Sequence, residues 1–122
     1  MFTASYTAHA DADISTLHVS NLVSPRTGKT VSNQFVIDSS RYSFFQSYDS
    51  LIGVYDKKER RITLGCKWDY SKTTLKYLHE WLESYAFNVW AYIRDQYAGR
   101  TLSETIRKAI NAGAIDYDDD MM

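Results

Sequence analysis

Arg61-Ile62-Thr63-Leu64-Gly65-Cys66-Lys67-Trp68-Asp69-Tyr70-Ser71-Lys72-Thr73-Thr74-Leu75-Lys76-Tyr77-Leu78 is where the chain changes its period. Before the junction, Ile62 and Leu64 alternate with polar neighbours, the two-residue repeat of a strand. After it, Leu75, Leu78, Leu82, Tyr85, Val89 and Tyr92 follow one another at steps of three and four, which sets them on one stripe of a helix. Asp69 or Ser71 can cap that helix by accepting a hydrogen bond from an unpaired backbone N–H, Asn88 is the candidate break, and Gly99 is a natural stop. Unbroken, the helix would run about seven turns at 3.6 residues each.

Upstream, Gln34-Phe35-Val36-Ile37 is a β-branched and aromatic run, Asp38-Ser39-Ser40 reads as a turn, and Arg41 to Gln46 carries Tyr42, Phe44 and Phe45. A further strand, Leu51 to Tyr55, leads through the charged turn Asp56-Lys57-Lys58-Glu59-Arg60 into the strand at Ile62. Residues 1–30 are rich in Ala, Ser, Thr and Asp. Within them Ile14, Leu17, Val19 and Leu22-Val23 suit one or two short strands, and Pro25 falls in the turn-like Ser24-Pro25-Arg26-Thr27-Gly28. Downstream, Thr101-Leu102-Ser103-Glu104 is a capping box that starts a short helix with Leu102, Ile106, Ala109 and Ile110 inward and Gly113 at its C-terminus. The tail from Asp116 to Met122 is expected to fray. The expected fold is a single α+β domain: an antiparallel meander of about four strands over 31–65, packed against one long helix and a short terminal helix over 69–113, with a poorly defined segment at 1–30 and an acidic tail at 114–122.

With 122 residues there is room for one core, and a 15% aromatic fraction built on ten tyrosines supplies area for a core or a contact surface. The single cysteine, Cys66, forms no intramolecular disulfide, and the first ten residues have neither the basic region nor the apolar run of a secretion signal. The expected setting is the cytoplasm, with no membrane partner.

Catalytic and metal chemistry find little to stand on. His9, His18 and His79 show no metal-ligand spacing, and Cys66 has no companion cysteine. A nucleophile reading would join Cys66 to His79, thirteen residues on, and needs a base within hydrogen-bond reach to make the thiolate. Gly28-Lys29-Thr30 ends like a phosphate-binding loop but lacks its earlier glycine, and the aspartate tail lacks the glycine turn of a calcium loop. The expectation is a protein that is not an enzyme and carries no cofactor or metal.

Charge is distributed unevenly. Between Asp56 and Lys76 seven basic residues face three acidic ones, a local net of +4, and beyond Lys76 eight acidic residues outweigh four basic ones, a local net of −4. The candidate contact residues are therefore Lys57, Lys58, Arg60 and Arg61 of the basic turn, Trp68 and Tyr70 after it, Tyr48 in the polar run from Gln46 to Ser50, and Asp116, Asp118, Asp119 and Asp120 of the tail. Basic residues with aromatics beside them suit a nucleic-acid backbone. The overall charge of −1 weighs against a dedicated nucleic-acid binder and leaves docking on a charged protein as the first reading. The helical stripe also suits self-association as a homodimer.

Asn33-Gln34-Phe35-Val36-Ile37, Phe45-Gln46-Ser47-Tyr48-Asp49-Ser50 and Trp68-Asp69-Tyr70-Ser71-Lys72-Thr73-Thr74-Leu75-Lys76-Tyr77-Leu78 together resemble an uncharacterised family of short bacteriophage-encoded proteins. The resemblance covers a little over a third of the chain. It implies a protein that binds and disables a host protein, such as an anti-CRISPR-type inhibitor of a CRISPR nuclease; the net −4 of the C-terminal portion would let the acidic tail and helix face imitate nucleic-acid phosphates. The alternative is a small nucleic-acid-binding accessory protein using the basic turn.

Overall fold

Short polar turns fold the first half of the chain back and forth into five antiparallel strands, and the last described residues return to add a sixth. The computed structural model describes residues 17–121. The strands are β1 (His18–Val23), β2 (Thr30–Asp38), β3 (Tyr42–Ser47), β4 (Ser50–Asp56) and β5 (Arg61–Gly65), followed by helices α1 (Lys72–Tyr85), α2 (Phe87–Gln96) and α3 (Leu102–Asn111) and by β6 (Asp116–Asp118). The sheet order is β1-β2-β3-β4-β5-β6, with β6 parallel to β5 and every other pair antiparallel.

Side-chain alternation divides the sheet into two apolar faces. Val36, Phe45, Tyr55, Ile62 and Leu64 join the helices in the larger cluster, while Ile37, Tyr42, Phe44, Leu51, Val54 and Met121 form a second cluster. Residues one apart on a strand point to opposite faces, which is why Val36 and Ile37, or Phe44 and Phe45, serve different clusters.

Trp81 fixes α1 to the sheet. Its ring is fully buried and stacks on Phe45 with centroids 5.9 Å apart, and its indole N–H donates to the Ser43 hydroxyl at 3.0 Å. Gly53 lies directly beneath: a Cβ there would stand 2.9 Å from Leu64 Cδ2 and 3.0 Å from Trp81 Cζ3. The indole lies close over the sheet because this strand position has no side chain.

The expected four-stranded meander with one long helix is corrected in three places. First, the short strand expected around Val19 and Leu22-Val23 forms as β1 (His18–Val23) and joins the meander as its edge, beyond the four strands counted; Ile14 and His9 lie outside the described residues. Second, the described part of the tail is held to the sheet: Asp116–Asp118 pairs with β5, and Met121 packs against Gly65. Arg61 holds it there by donating to both carboxylate oxygens of Asp116 and to the Gly113 carbonyl. Strand propensity disfavours aspartate, so the pairing was invisible in the local sequence. Third, the long helix is broken at Ala86, two residues before the expected Asn88. Trp81 and Trp90 are nine residues apart, which is half a revolution out of phase at 100° per residue. An unbroken helix would turn one of them away from the core. The break lets both be fully buried.

The caps follow the sequence more closely. The Ser71 hydroxyl accepts from the Thr74 amide at 3.1 Å, and Thr101 accepts from the Glu104 amide at 3.1 Å. The Glu104 carboxylate reaches the Arg100 amide rather than that of Thr101. Gly113 follows α3 at φ 79°, the left-handed conformation that glycine adopts without a Cβ penalty.

Gly53→Ala is expected to destabilise the fold by about 1–3 kcal/mol through overpacking. Trp81→Phe is expected to cost about 2–4 kcal/mol through a cavity and an orphaned Ser43 hydroxyl. Urea unfolding of each variant measures both.

Candidate functional site

In a meander, alternate connections lie at opposite ends of the sheet. The β3–β4 turn and the exit of β5 therefore share one end, and the β4–β5 turn sits at the other. That parity brings Ser47-Tyr48-Asp49-Ser50 beside Lys67, Tyr70 and the start of α1, where they enclose a cleft of about 280 Å³. Two of the three segments that carry the family resemblance meet in this cleft.

Its floor is polar and buried. The Ser47 and Thr74 hydroxyls, both 4% exposed, lie 3.3 Å apart, and Ser71 Oγ donates to Thr74 Oγ1 at 3.2 Å. Lys67 Nζ reaches Ser50 Oγ at 3.5 Å and lies 5.9 Å from the centroid of the Tyr70 ring. The first turn of α1 has no acidic residue to oppose these donors.

Its rim is aromatic. Tyr48 is 57% exposed and Tyr70 77%, the latter the most exposed large apolar side chain among the described residues. Of the two central turn residues only Tyr48 has a positive φ, 56°, at a position where hairpin turns commonly take glycine. Its amide donates to the Asn33 carbonyl and its carbonyl accepts from the Gln46 side chain, so the surrounding bonds hold the tyrosine in this conformation.

The basic turn is a different surface. Lys57 pairs with Asp38 at 2.9 Å and donates to the Ser39 carbonyl, and Arg61 is engaged with Asp116. Among the described residues Lys58 and Arg60 make no ion pair. Arg41 clasps Asp56 through two hydrogen bonds of 3.2 and 3.0 Å. Burial works against the Asp56 charge, but hydrogen bonds from Arg41 and from the Glu59 and Lys58 amides outweigh it and hold the carboxyl below its ordinary value.

The expected grouping of the basic turn with Trp68 and Tyr70 is therefore corrected. They lie at opposite ends of β5, separated by roughly 16 Å at about 3.3 Å per strand residue. Trp68 is buried at 3%, with the Arg107 guanidinium over its ring and Arg107 bonded to Asp69, so it is a packing residue rather than a stacking platform. Three of the four tail aspartates are engaged within the fold: Asp116 with Arg61, Asp118 with the Asp120 amide, and Asp119 with the Tyr117 hydroxyl, whose pKa that bond raises.

Cys66 is exposed and lines a separate cleft with Asp69, Arg107 and Tyr117, whereas His79 lies edge-on to Trp90 at 6.0 Å and faces Glu83. The structure does not bring thiol and imidazole into one cleft. Among the described residues no group of three His, Cys, Asp or Glu side chains could hold a metal, and no helix is long and apolar enough to cross a membrane.

Tyr48 and Tyr70 were legible as candidates. Ser47 and Ser50 belong to the polar run between two apolar strands, which packing explains less easily and which could pair buried backbone or meet a ligand, whereas Lys67, Ser71 and Thr74 are not legible as contact residues. The available signal was the parity of the turns, together with a polar run between two apolar strands.

Residues 18–97 match a family of unknown function, DUF8033, and the chain belongs to it. No curated protein and no solved structure matches the chain.

Tyr48→Gly is expected to leave stability unchanged or raise it by up to about 1 kcal/mol, because relief of the left-handed strain offsets the entropy of glycine. Thermal unfolding tests this. Asp56 has a depressed folded-state pKa, so its contribution is full above the unfolded carboxylate value of about 4 and is lost as pH falls through the folded one. The stability gap between wild type and Asp56→Asn is therefore expected to be constant above about pH 5 and to close on acidification, as read by denaturant titrations at several pH values.

Proposed function

We propose that this member of the DUF8033 family is a binding protein, not an enzyme, and that it engages a protein partner through the Tyr48–Tyr70 cleft. The observation that carries this reading is the pair of exposed tyrosines rimming a polar cleft with one lysine and one carboxylate, Lys67 and Asp49. Tyrosine offers a large rigid contact surface at low entropic cost, and a mixed-sign rim suits a protein better than a polyanion.

The resemblance to short phage-encoded proteins supports a partner in a host cell, such as a CRISPR nuclease that the protein would inhibit. The contact would be made by the tyrosine cleft rather than by phosphate mimicry of the tail, where Asp116 already pairs with Arg61 within the fold.

A nucleic-acid reading through the basic turn loses strength for the same reason: Lys57 and Arg61 already have acidic partners. Phosphate contacts would have to compete with those pairs.

Affinity capture from host lysate, with and without nuclease treatment, is expected to recover a protein whose retention survives nuclease and falls at least about tenfold with Tyr48→Ala plus Tyr70→Ala, the loss of one good hot spot. Retention that disappears with nuclease, or that depends on Lys58 and Arg60 instead, overturns the reading.

A further inference from the structure

The hydroxyl protons of the cleft are not all spent on one another. Ser47, Thr74 and Ser71 hold three hydroxyl protons, while the chain that joins them has two links. Ser71 spends its proton on Thr74. If Thr74 then donates to Ser47, the Ser47 proton is left over; if Ser47 donates to Thr74, the Thr74 proton is left over. Either way one donor remains on a side chain only 4% exposed in the wall of the cleft. A ligand oxygen in the cleft can accept that proton.

The neighbours add to the same sign. Lys67 directs one N–H at Ser50 Oγ, so the Ser50 hydroxyl accepts there and keeps its own proton to give. Lys67 keeps two further N–H groups, and its position against the Tyr70 ring orients the ammonium. The one opposing group is the Asp49 carboxylate, on an exposed rim residue.

We infer that the cleft receives a single oxyanion carried by a side chain of the protein partner, either a carboxylate or a phosphorylated hydroxyl. This rests on the proposed protein-binding role and names what that partner inserts. A volume of about 280 Å³ holds roughly nine waters at ~30 Å³ each, which is room for one charged head and part of its stem. One lysine balances one such group. Asp49 at the rim repels a second negative charge arriving alongside, as a nucleic-acid backbone would bring. Tyr48 and Tyr70 then pack on the stem and its flanking residues.

The test uses the full chain, isotope-labelled, titrated separately with blocked glutamate, blocked phosphoserine, blocked glutamine as the neutral control, and a ten-nucleotide oligothymidine. Saturable shifts of the Ser50, Lys67, Ser71 and Thr74 amides are expected with a charged side chain and not with glutamine; the tighter of the two charged probes assigns the source. Lys67→Gln is expected to weaken binding about tenfold, and Lys67→Arg to retain most of it. Both substitutions are at a half-buried position on the cleft wall, and thermal unfolding confirms that they fold. Absence of saturable shifts with either charged probe, equal binding of glutamine, indifference to Lys67→Gln, or tighter binding of oligothymidine overturns the inference. If tyrosine-dependent capture persists while these titrations fail, only the oxyanion assignment falls. If the titrations succeed while capture fails, it is the protein-binding reading that falls.

Discussion

The Trp81 indole on the Ser43 hydroxyl is the contact on which the arrangement of the molecule depends. A helix laid on a sheet can slide and rotate when only apolar surface holds it, because such attraction has little direction. One buried hydrogen bond between α1 and β3, set above the bare backbone of Gly53, specifies both position and rotation. The start of α1 is thereby placed against the β3–β4 turn, where Thr74 meets Ser47. Structure and site share this one anchor.

The two tryptophans also explain the shape of the helical layer. Trp81 and Trp90 lie on opposite sides of any continuous helix, yet each is the kind of residue whose burial dominates a small core. Breaking the rod at Ala86 loses a little helical hydrogen bonding and gains the burial of a second indole. The stripe of Leu75, Leu78, Leu82, Tyr85, Val89 and Tyr92 looked sufficient because it ignored both tryptophans. Tyr92 in fact remains exposed, and Ile93 takes the inward place.

Much of the fold was legible in local sequence. The change of period at Gly65–Ser71, the Ser71 and Thr101 caps and the glycine after α3 each express a short-range rule, and each appears in the structure. What escaped notice was long-range. β6 exists because Arg61 captures Asp116 across fifty-five positions of sequence, and no local propensity suggests a strand in Asp116-Tyr117-Asp118. The candidate site divides in the same way: Tyr48 and Tyr70 declare themselves as large aromatics among polar neighbours, while Lys67 and Thr74 gain meaning only when the turns are assigned to ends of the sheet. The same assignment separates the basic turn from Tyr70, while Trp68 is buried in the core cluster under Arg107.

A strained tyrosine in a tight turn, an exposed tyrosine opposite, and the Lys67 ammonium and hydroxyls between them are the features on which the proposed binding role rests. The most direct measurement is site-specific photocrosslinking in the host cell, with a photoreactive phenylalanine placed at Tyr48, at Tyr70 and, on the far end of the sheet, at Lys58. The account expects the same protein adduct from the first two positions and none from the third. Adducts that form at Lys58 while Tyr48 and Tyr70 stay silent would contradict it.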